Sequence, residues 1–121
     1  MQHFPVFLSV VIVVRNQAEL LEEVLSAAID HLAHLVDDYE LIVVDNASID
    51  DSLSVYDKLT SDQNSGLPNL QVYSLIKEVV SDAATWVGLE NSLGDFVAVI
   101  DPFTEDISLL PQLLERSVGG G

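Results

Sequence analysis

Apolar and polar positions divide this chain into four short apolar blocks, each followed by a stretch of helical periodicity. Residues 7–14 (FLSVVIVV), 40–44 (ELIVV) and 96–100 (FVAVI) are dominated by branched apolar side chains. Such runs suit strands buried on both faces, as in a parallel sheet with helices on each side. Residues 70–75 (LQVYSL) alternate less cleanly, which predicts a third strand nearer an edge. After the first run, Leu20, Leu21, Val24, Leu25, Ala28, Ile29, Leu32 and Leu35 form one broad helical face. Asn16 and Glu19 have the spacing of a capping box at its start, and Asp37-Asp38 closes it. Ser48 or Asp50 caps a second helix carrying Leu53, Val55, Tyr56 and Leu59. A third runs from near Ser81 through Ala84, Val87 and Leu89 to Asn91, with Gly94 as the residue past its end. Residues 61–69 (SDQNSGLPN) are rich in turn formers and predict a loop. Residues 104–117 are helical in pattern, with the helix proper starting near Pro111, and 119–121 read as a flexible tail.

Strand and helix alternate throughout, which predicts an α/β fold. The expected architecture is a three-layer α/β/α sandwich over residues 1–118, built from right-handed crossovers around a mainly parallel four-stranded sheet. A Rossmann-like strand order of 3-2-1-4 puts the topological switch between the first and fourth strands. Arg15, Asn16, Asp45 and Asp101 each follow a strand, so this order brings them to one rim. Ligands of open α/β sheets bind beyond the carboxyl ends of the strands.

Charge narrows the partners. The 121 residues include 4 basic and 20 acidic side chains, a formal charge of −16. Such a field repels nucleic acid and anionic membranes, and a phosphate ligand needs local amides or cations to offset it. No apolar block approaches the roughly 18 residues of a membrane span, and the first residues lack a basic secretory n-region. Direct membrane insertion is therefore not expected, and a cytoplasmic location is. Cysteine is absent, which excludes disulfides and thiolate metal sites.

Three segments carry a family resemblance: SVVIVVRN (9–16), YELIVVDNASIDDS (39–52), and the stretch from Gly88-Leu89 through Gly94-Asp95 to the strand ending at Asp101. From Leu8 to about Leu114 the chain resembles the N-terminal half of a family 2 glycosyltransferase of the GT-A fold. That half binds a nucleoside diphosphate sugar. The resemblance implies that Asp45 accepts a hydrogen bond from the base. It also implies that Val14, Arg15 and Asn16 border base and ribose, and that Lys77 lies near ribose and phosphate. Asp101 would open the Asp-x-Asp motif that holds Mn²⁺ or Mg²⁺ on the diphosphate.

Departures from the family pattern are specific. The metal motif reads Asp101-Pro102-Phe103, so its second carboxylate is missing; Glu105 or Asp106 could replace it only through a shifted loop. Glu78 and Val80 stand where the family usually has Asn and Gly, and Trp86 where it commonly has Asn. The acceptor-binding half and its catalytic base are absent, so no residue is assigned a catalytic role and the chain alone is expected to be inactive. The expected partner is the remainder of a larger glycosyltransferase, or another protein. The alternative is a non-catalytic binding or assembly module with the same fold.

Blander readings stand beside these. Asp45 has the position of a turn former that takes nearby backbone N–H groups. Asp101 can cap a strand end before Pro102, and Lys77 can pair with Glu78. Trp86 suits a core or an interface. His31 and His34 share a helix face but lack a third ligand. A Gly-rich phosphate loop after the first strand is missing. The acidic pair that a phosphoryl-receiver domain needs there is replaced by Arg15-Asn16.

Overall fold

A computed structural model describes residues 3–61, 67–104 and 110–111. Its elements are β1 (Phe4–Val14), α1 (Ala18–Leu35), β2 (Val36–Asp45), α2 (Ser52–Leu59), β3 (Leu70–Ser74), α3 (Ser81–Glu90) and β4 (Phe96–Val99). All pairings are parallel, and the strand order is β3-β2-β1-β4. The α/β reading and its predicted strand order hold. Leu110 joins the core, but most of the C-terminal segment and the 119–121 tail lie outside the described residues.

Strand alternation sorts side chains onto two faces. Leu8, Val10, Ile12 and Val14 of β1 join Leu41 and Val43 of β2 beneath α1 and α2. Val11, Ile42 and Val44 point the other way and meet Ala84 of α3. α1 buries Leu21, Leu25, Ala28, Ile29, Leu32 and Leu35; of the face its periodicity predicts, Val24 is half-buried and Leu20 is exposed. α3 packs against β1 and β2 through a close approach: a Cβ added at Gly88 would lie 2.4 Å from Val11 Cγ1.

Three local expectations need correction. Asp37-Asp38 does not close α1. The helix ends at Leu35 because Val36 is already extended (φ −131°, ψ 160°) and opposite Phe4 in the sheet. Both acids sit exposed in the first turn of β2. Asn16 does not cap α1 either, since its Oδ1 accepts from Ile49 N–H. The Asp50 carboxylate instead reaches Ala18 N–H at 3.1 Å. Gly94 is needed for space: its added Cβ would come within 2.7 Å of Ser9 N and Oγ. Asn91 forms the C-cap of α3.

One polar cluster lies inside the α3 face. Ser9 and Glu40 are register partners on β1 and β2, with exposures of 0% and 4%. Glu40 Oε2 accepts from Ser9 Oγ and from Leu93 N–H at 2.6 Å, and Oε1 accepts from Gln71 Nε2 at 2.9 Å. Ser9 Oγ accepts in turn from Gly94 N–H at 2.8 Å. One carboxylate thus joins three strands to the α3–β4 connection. Replacing it with a methyl leaves buried donors unmet, at about 1–3 kcal/mol each. Glu40→Ala is therefore expected to lower stability by roughly 3 kcal/mol in urea denaturation; a loss below about 1 kcal/mol would show the cluster to be dispensable.

At the other end of the sheet, His3 ties the start of β1 to the α1–β2 junction. Nε2 meets Asp37 Oδ1 at 2.5 Å, and Nδ1 meets the His34 carbonyl at 3.2 Å. Both ring nitrogens face acceptors, which favours the imidazolium. The Asp37 hydrogen bond, then the His34 carbonyl, raise the His3 pKa above 6.5. A raised pKa means stabilisation that is complete below the unfolded value of about 6.5 and lost as pH rises through the higher folded one. Melting curves should show this small loss above neutral pH in the unaltered chain and not in His3→Gln. Identical pH profiles would count against the clasp.

Candidate functional site

The candidate site is the carboxyl end of β1 and β2, with the loops that leave them. Val14 and Asp45 face each other as the last register pair of the two strands. Beyond them the backbone turns sharply. Asn46 N–H donates to Val14 O at 2.7 Å, and Ala47 N–H donates to Asp45 O at 3.0 Å. Asn16 and Ala47 take left-handed conformations, φ 55° and 56°. Asn tolerates that region; Ala does so at a cost of about 1 kcal/mol.

Arg15 accounts for the strained turn. Its Nη1 donates to Ala47 O at 2.6 Å and to Asn46 O at 3.2 Å, and its Nη2 lies 3.4 Å from Glu78 Oε1. A single guanidinium therefore joins the β1 end, the β2–α2 turn and the β3–α3 loop. Asn16 ties the same turn from the other side. Its N–H donates to Ser48 Oγ at 2.9 Å, and its Oδ1 accepts from Ile49 N–H at 2.8 Å.

Asp45 is 1% exposed. Its Oδ1 accepts from Ser48 Oγ and Tyr56 Oη, each at 2.7 Å, and its Oδ2 accepts from Ser48 N–H at 2.9 Å. Of the two readings open for Asp45, these contacts are those of the turn former. Burial, and then the hydrogen bond to Asp45, push the Tyr56 hydroxyl far above its ordinary pKa, so it donates at any physiological pH. Next along the chain, Asn46 is 6% exposed. Its Nδ2 donates to Val79 O at 2.8 Å, and its Oδ1 accepts from Val79 N–H at 3.0 Å.

The β3–α3 loop is pinned to this rim at each end. Leu75 N–H donates to Asp45 O at 2.9 Å, and Val79 is held by Asn46. Between the pins, Ile76, Lys77 and Glu78 are exposed. Lys77 has no ion-pair partner among the described residues, so the suggested pairing with Glu78 is not formed and Glu78 pairs with Arg15. The depression on the opposite side, lined by Asn16, Glu19, Asp50 and Asp51 among others, is acidic and unsuited to an anion. There the Ser52 hydroxyl, more than any other contact, lowers the Asp50 pKa. The Asp50 carboxylate stays charged and bridges the starts of α1 and α2.

Asp101 lies beyond β4 on the same end of the sheet. Its Oδ1 accepts from Phe103 N–H at 3.1 Å, a local turn. Phe103 packs against the core. No group of three or more metal-ligating side chains occurs among the described residues, and one carboxylate does not supply the oxygen shell of Mg²⁺ or Mn²⁺. Glu105 and Asp106 are outside the described residues.

The rim thus collects Val14, Arg15, Asn16, Asp45 and, through the pinned loop, Lys77. Asp101 shares the end of the sheet but no hydrogen bond with the others. Asn46, Ser48, Tyr56 and Glu78 belong to the same network although the sequence reading assigned none of them to the site. The cue for Asn46 was its position next to Asp45, just past the apolar run 41–44. Tyr56→Phe keeps the ring and removes one donor to a buried carboxylate. It is expected to cost about 2 kcal/mol of stability, and an unchanged urea midpoint would mean that Asp45 does not depend on it.

Known proteins can be set beside this geometry. The family model described as "Glycosyl transferase family 2" matches residues 9–118. No curated protein matches the sequence. Among solved structures, the chain is similar to the mannosyltransferase PcManGT from Pyrobaculum calidifontis in complex with GDP-Man and Mn²⁺, with a TM-score of 0.71 and 21% identity. The match covers 93% of this chain and 33% of that one, so this chain spans about a third of the relative's length.

Proposed function

The chain belongs to glycosyl transferase family 2, and from that premise we propose that its strand-end rim receives the nucleotide part of a nucleoside diphosphate sugar. The carrying observation is the pinned loop, which carries Lys77, a cation without an ion-pair partner among the described residues, next to the β1 and β2 ends. Only 4 of the 121 residues are basic, and two of those, Arg15 and Lys77, belong to this rim. Arg15 is engaged by two carbonyls and Glu78, so Lys77 is the cation free to meet a diphosphate. The Arg15-Asn16 backbone and the turn after β2 border the base and ribose. Asp45 acts by fixing that turn through Ser48 and Tyr56.

When bound, a divalent ion would supply charge compensation on the leaving diphosphate. Asp101 is the carboxylate of this chain that would face it. One carboxylate is not a site, and no step is assigned through the ion. Transfer of the sugar needs an acceptor subsite and a base, and neither is assigned among the described residues of this rim. The chain by itself is therefore a donor-binding part without transferase activity, completed by the remainder of a larger enzyme.

One observation favours the second reading, a non-catalytic binding or assembly module. The Asp45 carboxylate, which the resemblance assigns to the base, is 1% exposed and already holds three donors.

Titrating UDP and GDP into ¹⁵N-labelled protein separates the two. Shifts at Arg15, Asn16, Ser48 and residues 75–80 are expected. Lys77→Ala should weaken the diphosphate roughly tenfold, about 1.4 kcal/mol, and leave the parent nucleoside unaffected. Silence at millimolar nucleotide would decide for the non-catalytic module.

A further inference from the structure

We infer that Asn46 is a positioning residue for the phosphate end of this site: it locks the β3–α3 loop so that Lys77 is held over the rim. The inference rests on the donor-binding reading above and concerns a residue outside the set assigned there.

The chemistry of the contact asks for an amide. Asn46 addresses one residue, Val79, with both ends of its side chain, donating to the carbonyl and accepting from the N–H. This is the hydrogen-bonding pattern one strand offers another, here supplied by a side chain just beyond the last residue of β2. A carboxylate could keep the acceptor half but would turn an oxygen toward Val79 O. An aliphatic side chain would leave both backbone groups unmet. At 6% exposure, water cannot easily replace the missing partner, and an unmet buried polar group carries its full desolvation cost.

The loop has little else to hold it. Leu75 packs against the α3-face cluster at the start of the loop, but Ile76 and Val80 are 101% and 74% exposed, so apolar burial does not fix the path beyond Leu75. Its other ties are the Leu75 N–H to Asp45 O bond and the half-exposed Arg15–Glu78 pair; exposed ion pairs contribute little, because solvent screens them. Lys77 lies two residues from Val79 and two from Leu75. Releasing Val79 frees the Lys77 side of the loop, and a flexible lysine must then be ordered by the ligand at the ligand's expense. Asn46 does not itself touch the phosphate in this account.

The test is a double-mutant cycle on nucleotide binding. UDP or GDP, whichever binds the unaltered chain, and its parent nucleoside are titrated by calorimetry into four proteins: unaltered, Asn46→Asp, Lys77→Ala and the double variant. Asn46→Asp should weaken the diphosphate roughly as much as Lys77→Ala does, about tenfold. It should weaken it little further in the Lys77→Ala background, with nucleoside affinity unchanged in all four. Losses that multiply, or equal losses for nucleoside and diphosphate, would reduce Asn46 to a general structural role and overturn the inference while leaving the donor site standing. If the unaltered chain binds neither nucleotide, the donor-binding reading falls and takes this one with it. Should Asn46→Asp fail to fold, amide exchange on the unaltered chain decides: Val79 N–H is expected to be protected and Lys77 N–H not. Rapid exchange at Val79 would overturn the lock.

Discussion

A central parallel strand must end somewhere, and where it ends its polar groups lose the neighbours that satisfied them. Burial makes that loss expensive, at about 1–3 kcal/mol for each group left bare. At the end of β2 the solution is local and dense. The Asp45 carbonyl takes Ala47 and Leu75 N–H groups, and its carboxylate takes Ser48 and Tyr56. The Asn46 side chain copies a strand's pairing onto Val79. The strand-end rim is organised by those two residues. They set the β2–α2 turn, the start of α2 and the path of the β3–α3 loop.

The same constraint operates toward the other end of the strands. Glu40 and Ser9 put polar atoms into a face that is otherwise branched aliphatic, and the cluster resolves itself by binding the backbone of residues 93 and 94. Gly94 is then forced by geometry, since its backbone comes close enough to Ser9 that no Cβ fits. Gly88 plays the corresponding part against Val11. The layer formed by α3 is held close by two missing side chains and one buried carboxylate. It needs little hydrophobic periodicity of its own, since Ala84 and Gly88 are its only residues buried outright.

Strand positions and order were readable because the apolar blocks of β1, β2 and β4 are too short for helices and too uniform for an exposed sheet. The helical face of α1 was readable from its period, each buried position from Leu21 onward lying three or four residues from another. What escaped was polar detail that depends on a neighbour distant in the chain. Asn16 looks like a cap from its own surroundings, but Ile49 claims its side chain from 33 residues away. Asp37 and Asp38 look like a helix stop, yet Val36 opposite Phe4 decides the matter. Asn46 gave only one cue, its place just past the apolar run 41–44, while its partner Val79 is again 33 residues distant. Apart from the local contacts of Asp45, the candidate site is tied by such long-range polar contacts, which is why its general location was legible and its wiring was not.

Charge then bears on what the rim can do. A chain of formal charge −16 opposes any polyanion at long range, although salt screens that opposition beyond about 10 Å. Close contacts decide the outcome. Among them, Glu78 neutralises Arg15 and leaves Lys77 as the cation without a partner among the described residues. A single ammonium on a flexible stem is a weak anchor when the loop beneath it moves, because its order must be supplied at the moment of binding. In the proposed reading, a loop held by Asn46 and Asp45 keeps that ammonium near two strand ends, where a diphosphate would meet it. The value of the lysine therefore depends on a neutral amide that carries no charge of its own.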